Sequence, residues 1–312
     1  MNASSATILD RIGNTSLLPL RHLVPPGAAR ISLKLENENP TGSMKDRMAL
    51  AMIEAPESDG RLPAGGAVVE YTGGSTGVSL SLVCAVKRHP LHVVCSDAFA
   101  KEKLNHMRIL GASLQVIESD AGRMTEKLTR DMIEAARAVA QSTGAFWTDQ
   151  FNNKDQVRAY HQMADEIWSQ TSGQVTHFVQ AVGTCGSLRG NSERLRQLNP
   201  QIKIVAVEPA ESAVLSGDAS GAHKIDGIGA GFVPPLWRPG LAGQIERVST
   251  DDAISMALRL AREEGLFAGA STGANVTAAL RLASQLGPGS TIVTLMVDSG
   301  MKYLKTYSAK LS

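Results

Sequence analysis

Asn39-Pro40-Thr41-Gly42-Ser43-Met44-Lys45-Asp46-Arg47 is the stretch on which the reading of this chain turns. Pro40 and Gly42 make a loop, and Ser43 with Asp46 forms the Ser-x-x-Asp capping pair that opens a helix. Met44, Met48 and Met52 then recur at helical spacing with Ala49 and Ile53 beside them, which predicts a helix over Ser43–Ala55. Lys45 falls in its first turn, where the helix dipole disfavours a cation. A lysine in that place is best understood with its amine neutral or bonded to another group. The plain alternative is a solvated Lys-Asp-Arg face, and on this segment alone the plain alternative is the better one.

Three glycine loops further along change that balance. Thr72-Gly73-Gly74-Ser75-Thr76-Gly77 follows a strand-like run and opens a helix from Val78; its amides and hydroxyls suit an anion. Gly183-Thr184-Cys185-Gly186-Ser187 lies between a strand and a helix from Leu188, and suits a phosphate without any basic residue. Gly269-Ala270-Ser271-Thr272-Gly273-Ala274-Asn275 is the third, with Ser271 readable as a helix cap.

Around these loops, strand-like and helical patterns alternate. Strands are expected at Ile31–Leu35, Ala67–Glu70, His92–Cys95, Leu114–Ile117, His177–Val182, Ile204–Val207 and Ile292–Val297. Helices are expected at Ser43–Ala55, Val78–Arg88, Glu102–Leu110, Met124–Gln141, Gln156–Ser169, Leu188–Leu198, Asp251–Glu264 and Asn275–Gln285. The alternation argues for an α/β protein, parallel sheets flanked by helices. No linker stands out. A smaller N-terminal lobe is placed at 40–150, and a larger one at 1–39 plus 151–312.

The 312 residues, 43% hydrophobic and 20% charged, describe a globular chain with room for two lobes. A net charge of +1 gives no reason to expect nucleic acid or an acidic membrane as partner. Cys84, Cys95 and Cys185 match no zinc or redox spacing, and the seven histidines show no metal motif, so no metal is expected. Reduced cysteines and an N-terminus without a leader pattern suggest the cytoplasm.

Taken together, the run around Lys45 and the three loops resemble the cysteine synthase and cystathionine β-synthase family. These are pyridoxal 5′-phosphate (PLP) enzymes of the two-lobed, tryptophan-synthase-β-like fold type II. The resemblance runs from Ile12-Gly13-Asn14-Thr15 to Asp298-Ser299-Gly300 and includes His223-Lys224-Ile225-Asp226-Gly227-Ile228-Gly229-Ala230-Gly231-Phe232-Val233-Pro234. It implies that Lys45 forms the Schiff base with PLP and acts as acid and base. Gly183, Thr184, Cys185, Gly186 and Ser187 would cradle the phosphate, and Ser271 would face the pyridine nitrogen. Thr72, Gly73, Gly74, Ser75 and Thr76, with Gln150 and Gly227, would hold the substrate, and Ser75 would also reach the cofactor ring.

The match has departures. The family's first loop reads Thr-Ser-Gly-Asn-Thr-Gly, so Gly73 stands for a serine and Ser75 for an asparagine. The phosphate loop reads Gly-Thr-Gly-Gly-Thr, so Cys185 stands for a glycine; a positive φ there would cost about 1 kcal/mol. Cys185 is expected to be an inert packed thiol.

The function implied is β-replacement on an O-activated L-serine, O-acetyl-L-serine and sulfide giving L-cysteine and acetate, in a homodimer. O-phosphoserine, cystathionine synthesis, an amine nucleophile and a serine/threonine dehydratase are the alternatives within the fold. From other classes, Gly73–Gly77 and Gly269–Gly273 both fit the G-x-S-x-G elbow of a serine hydrolase. Glu208 after a glycine loop fits a weak nicotinamide-binding pattern, and a non-catalytic binding homologue is a further reading.

Overall fold

The computed structural model describes residues 6–121 and 125–308. In chain order its elements are β1 (Leu17–Pro19), β2 (Arg30–Leu35), α1 (Lys45–Asp59), β3 (Val68–Tyr71), α2 (Ser75–Lys87), β4 (Leu91–Ser96), α3 (Lys101–Ile109), β5 (Ser113–Ile117), α4 (Glu126–Thr143) and β6 (Phe146–Trp147). Then come α5 (Asp155–Gln170), β7 (His177–Ala181), α6 (Gly186–Leu198), β8 (Lys203–Pro209), β9 (Gln244–Val248), α7 (Thr250–Glu263), α8 (Ala270–Ala283), β10 (Thr291–Met296) and α9 (Leu304–Ser308).

The described residues fall into two compact units. One runs up to Ile12 and from Lys45 to Ala159; the other takes Gly13–Met44 and everything described from Tyr160 on. The sequence reading puts the boundaries at 40 and 150 and joins the N-terminal segment to the larger lobe. The structural division falls inside α5, a continuous helix, so no linker composition marks it. The turn of helix at Ile8–Arg11 packs on α2 and so joins the first unit.

The first unit holds a four-stranded sheet, β5-β4-β3-β6, parallel throughout. β3 is buried at every position, as befits a central parallel strand covered on both faces. The methionine stripe of α1 does what its spacing predicts: Met48, Ala49, Met52 and Ile53 are fully buried. Val69, Tyr71 and Val94 share a core with Leu128, Met132 and Ala136 of α4.

The second unit holds a six-stranded sheet, β1-β2-β10-β7-β8-β9. It is parallel except where β1 pairs antiparallel to β2. α7 and α8 pack closely; a Cβ on Gly273 would lie 1.9 Å from the Ala253 carbonyl oxygen. Ile31, Leu33, Val179, Val205 and Ile292 form the sheet side of that core.

All seven expected strands and all eight expected helices occur, one helix starting for the sequence reading at Met124, outside the described residues. The three strands without a sequence signal, β1, β6 and β9, are all sheet edges. Edge strands are short and half solvated, so they lack the apolar run that announces β3 or β10. α9, a single turn or so, also lacks a pattern.

One class of boundary is shifted in a telling way. α2 begins at Ser75 rather than Val78, α6 at Gly186 rather than Leu188, and α8 at Ala270 rather than Asn275. Glycine and serine are weak helix formers, so the pattern reading begins each helix too late. The first two glycine loops are strand ends followed directly by helix N-termini, and the third follows an isolated bridge at Ala268.

Candidate active site

The residues expected to act lie in two sets, one in each unit. Lys45, Thr72–Thr76 and Gln150 belong to the first; Gly183–Ser187, Gly227 and Ser271 belong to the second.

Lys45 is the first residue of α1, the position its sequence context predicts. α1 packs against α2, which opens on Gly74 without a side-chain cap and without an acidic residue in its first turn. The same holds for α6, which opens on Cys185, and for α8, which opens on Gly269. By contrast α4 is capped by Thr125 and α7 by Ser249, and α7 carries Asp251 and Asp252 in its first turn. The helices opening on the three glycine loops therefore lack the side-chain cap and the first-turn acid that would compete with an anion for the positive end of the dipole.

In the first unit, the Thr72 amide bonds the Val94 carbonyl at 2.8 Å, and the Thr72 hydroxyl accepts from the Gly74 amide at 3.2 Å. Gly73 explains one departure from the family pattern. A Cβ there would lie 1.8 Å from the ring of Phe99, which packs against the bare Cα. Gln150 is brought to the same place: its side-chain amide donates to the Tyr71 carbonyl at 3.0 Å, one residue before Thr72.

Sequence reasoning missed Glu70. Its carboxylate, fully buried, accepts from the Thr148 hydroxyl at 2.6 Å and the Gln150 amide at 3.0 Å on one oxygen, and from the Tyr71 amide at 2.9 Å on the other. Burial pushes its pKa up to about 8, against the three donors and with a further push from Asp149. The signal was a lone acid in the apolar run Val68-Val69-Glu70-Tyr71. Asp149, just before Gln150, has φ 44° and is tied by Asn152, whose side-chain amide bonds its carboxylate at 3.0 Å.

In the second unit, Cys185 adopts φ 72° as the residue before α6, so the strain expected of a side chain at this glycine position is present. Its thiol is buried and pushed up to about 12, which fits the inert reading. A Cβ on Gly183 would lie 2.4 Å from the Gly227 carbonyl oxygen, which brings the Gly227 segment directly onto the Gly183–Ser187 loop. The Gly229 amide bonds the Val182 carbonyl at 3.0 Å.

Ser271 lies buried in the first turn of α8. Asn275 on the same helix accepts from the Ala181 amide at 2.7 Å and donates to the Leu295 carbonyl at 3.1 Å. Thr272 accepts from the Val297 amide at 3.0 Å. The helix start is thereby pinned to the ends of β7 and β10, beside the loop that β7 feeds.

The donor set suits pyridoxal phosphate. An uncapped helix start with Thr184 and Ser187 can take a dianionic phosphate, a neutral buried hydroxyl can meet a ring nitrogen, and Lys45 can take an aldehyde. The rival chemistries lose their parts. Neither Ser75 nor Ser271 is among the non-glycine residues with positive φ, so neither sits on the strained turn of a nucleophile elbow. His223 bonds the Gly229 carbonyl at 2.9 Å through Nε2. Glu208 accepts from the amides of Leu215 and Ser216, so it closes a turn of its own rather than waiting for a ribose. Among the described residues no cluster of metal-ligating side chains occurs, and no helix is long and apolar enough to cross a membrane.

Comparison with known proteins agrees. Residues 8–298 match the profile of a family described as pyridoxal-phosphate dependent enzyme. A cysteine synthase of Staphylococcus aureus (strain Mu50) is 37% identical over 301 residues, covering 96% of this chain and 95% of the relative. O-acetyl serine sulfhydrylase isoform 3 from Entamoeba histolytica superposes with a TM-score of 0.92 at 35% identity, over 99% of this chain and 92% of that one. An O-acetylserine dependent cystathionine β-synthase from Helicobacter pylori gives 0.89 at 32% identity, over 98% of each.

Proposed function

The chain belongs to the pyridoxal-phosphate-dependent enzymes, and on that premise we propose that it performs β-replacement on an O-activated L-serine, converting O-acetyl-L-serine and sulfide to L-cysteine and acetate. The observation that carries this reading is the cradle on the first unit: the uncapped start of α2, with Gln150 bonded to the residue that leads into it. It is a seat for the carboxylate of an amino acid.

Bound pyridoxal phosphate supplies an electron sink for bonds at the amino acid's α-carbon. Lys45 would carry the cofactor, and its Nζ would take the α-proton and later return it. The amides at the start of α2, the hydroxyls of Thr72 and Thr76, and Gln150 orient the substrate by its carboxylate, and Gly227 is the substrate residue assigned in the second unit. Gly183, Thr184, Cys185, Gly186 and Ser187 would anchor the cofactor's phosphate. Ser271 offers a neutral hydroxyl to the ring nitrogen; it does not hold a proton there as a carboxylate would, which suits loss of a β-leaving group better than transamination. A homodimer and a cytoplasmic location complete the reading.

The test is direct. Purified protein incubated with pyridoxal phosphate is expected to gain visible absorbance and to form cysteine from O-acetyl-L-serine and sulfide. Lys45→Ala is expected to lose that absorbance and roughly a thousandfold or more of the rate. Normal turnover by Lys45→Ala would sink the mechanism. Gly73, with Phe99 packed on it, and Ser75 support a second reading in which the leaving group or acceptor differs. A panel of O-phospho-L-serine as donor and L-homocysteine as acceptor separates the two, and keto acid formed without an acceptor would mark a dehydratase.

A further inference from the structure

Gln150 is fastened at two points to two consecutive residues of β3. Its peptide N–H donates to Glu70, and its side-chain amide donates to the Tyr71 carbonyl. The next residue is Thr72, where the anion-binding loop begins. Gln156 holds the Gln150 carbonyl from the other side. Asp149, just before Gln150, turns the chain with a positive φ.

We propose that Glu70 is a positioning residue: through the Thr148 hydroxyl and the amides of Gln150 and Tyr71 it holds Gln150 and the Thr72 loop in one register for a substrate carboxylate. This rests on the carboxylate role given above to that loop and to Gln150. Three donors converge on Glu70. A glutamine of the same shape has one acceptor and one donor, so whichever way its amide turns, an N–H faces an N–H. The substitution loosens the register without opening a cavity.

Protonation of Glu70 acts in the same direction. The Thr148 hydroxyl also lies 3.4 Å from the Val69 carbonyl, so it can donate there and accept a hydrogen bond from protonated Glu70. The Gln150 amide then faces a hydroxyl, a weaker acceptor. The charge acting on Glu70 is Asp149, after β6; β4 places Val93 opposite it in register, with no charge. The hold therefore tightens as pH rises through about 8. Folding responds with the opposite sign. The folded-state pKa, about 8, lies above the ordinary 4.5. Ionising Glu70 thus costs the folded state stability, which falls as pH rises from the lower value to the higher.

The experiment uses the pyridoxal-phosphate-loaded protein as wild type, Glu70→Gln, Glu70→Asp, Gln150→Ala and the Glu70→Gln/Gln150→Ala double variant. KM and kcat are measured for O-acetyl-L-serine with sulfide at a pH above about 8, where Glu70 is ionised. The Kd for L-serine is read from the cofactor's visible absorbance. Glu70→Gln is expected to raise KM and Kd about tenfold with kcat within about twofold, cofactor content unchanged, and Glu70→Asp is expected to follow it. The double variant is expected to be no worse than Gln150→Ala. Wild type is expected to lose thermal stability between pH 5 and pH 8 as Glu70→Gln does not.

Unchanged KM and Kd in Glu70→Gln, multiplying effects in the double variant, or loss of cofactor and kcat in place of substrate affinity would overturn the proposal. A loaded wild type without turnover would instead count against the reaction proposed, leaving the L-serine Kd to decide on Glu70. A wild type that binds no amino acid would overturn both.

Discussion

Gly73 and Gly183 each begin a turn that leads from a strand into a helix, and each leaves no room for a Cβ. What fills the space differs. Gly73 faces the ring of Phe99, a half-buried side chain on a loop of the same unit. Gly183 faces the backbone carbonyl of Gly227, in a segment itself bonded to the end of β7 through Gly229 and Val182. A side chain can be exchanged or turned away, whereas a backbone cannot move without its neighbours. The turn at Gly73 can therefore depart from the family pattern and be compensated locally. The turn at Gly183 keeps its first glycine, and tolerates Cys185 only by accepting a strained φ.

Gly183→Ala should break the comparison most severely. The added methyl must displace the Gly227 segment, at about 1–3 kcal/mol, and the cradle shifts with it. Retained cofactor after gel filtration and the melting temperature should both fall, and no side-chain truncation should restore them. A variant that kept its cofactor would show that the backbone yields more easily than its hydrogen bonds suggest.

Gly73→Ser sharpens the other side. Alone it should collide with Phe99 and raise KM for O-acetyl-L-serine roughly tenfold, the scale of one lost buried hydrogen bond. Combined with Phe99→Ala it should come back to within about threefold of wild type, because the two sites are in contact and do not add. Equal KM in the single and double variants would mean that Phe99 is not what excludes the side chain.

The smallest effect is expected at Cys185. Cys185→Gly relieves about 1 kcal/mol of left-handed strain but gives up a buried side chain and adds freedom to the unfolded chain. Its melting temperature and cofactor content should stay close to wild type. A large loss of cofactor would show that the thiol itself takes part in the phosphate loop.

Much of the fold was legible because its central strands and amphipathic helices carry their burial in local spacing. β3 and β10 are apolar throughout since both faces are covered. β1, β6 and β9 are edges without an apolar run and were not legible, whereas the edge strand β5 keeps Leu114, Val116 and Ile117 and was. The site divides along the same line. Lys45 at the head of α1 and the three glycine turns can be read from neighbouring residues. Glu70 cannot be assigned a role that way, because its partners Thr148 and Gln150 lie 78 and 80 positions on.

Composition, spacing and turn chemistry by themselves determined an alternating α/β chain with a lysine opening a helix and three glycine turns, two of them suited to anions, since these are properties of short segments. Only the tertiary structure decided which side chain occupies the space above Gly73, which carbonyl presses on Gly183 and which carboxylate fastens Gln150. Those identities follow from strand order and from which loops share a sheet end, and no local periodicity encodes strand order.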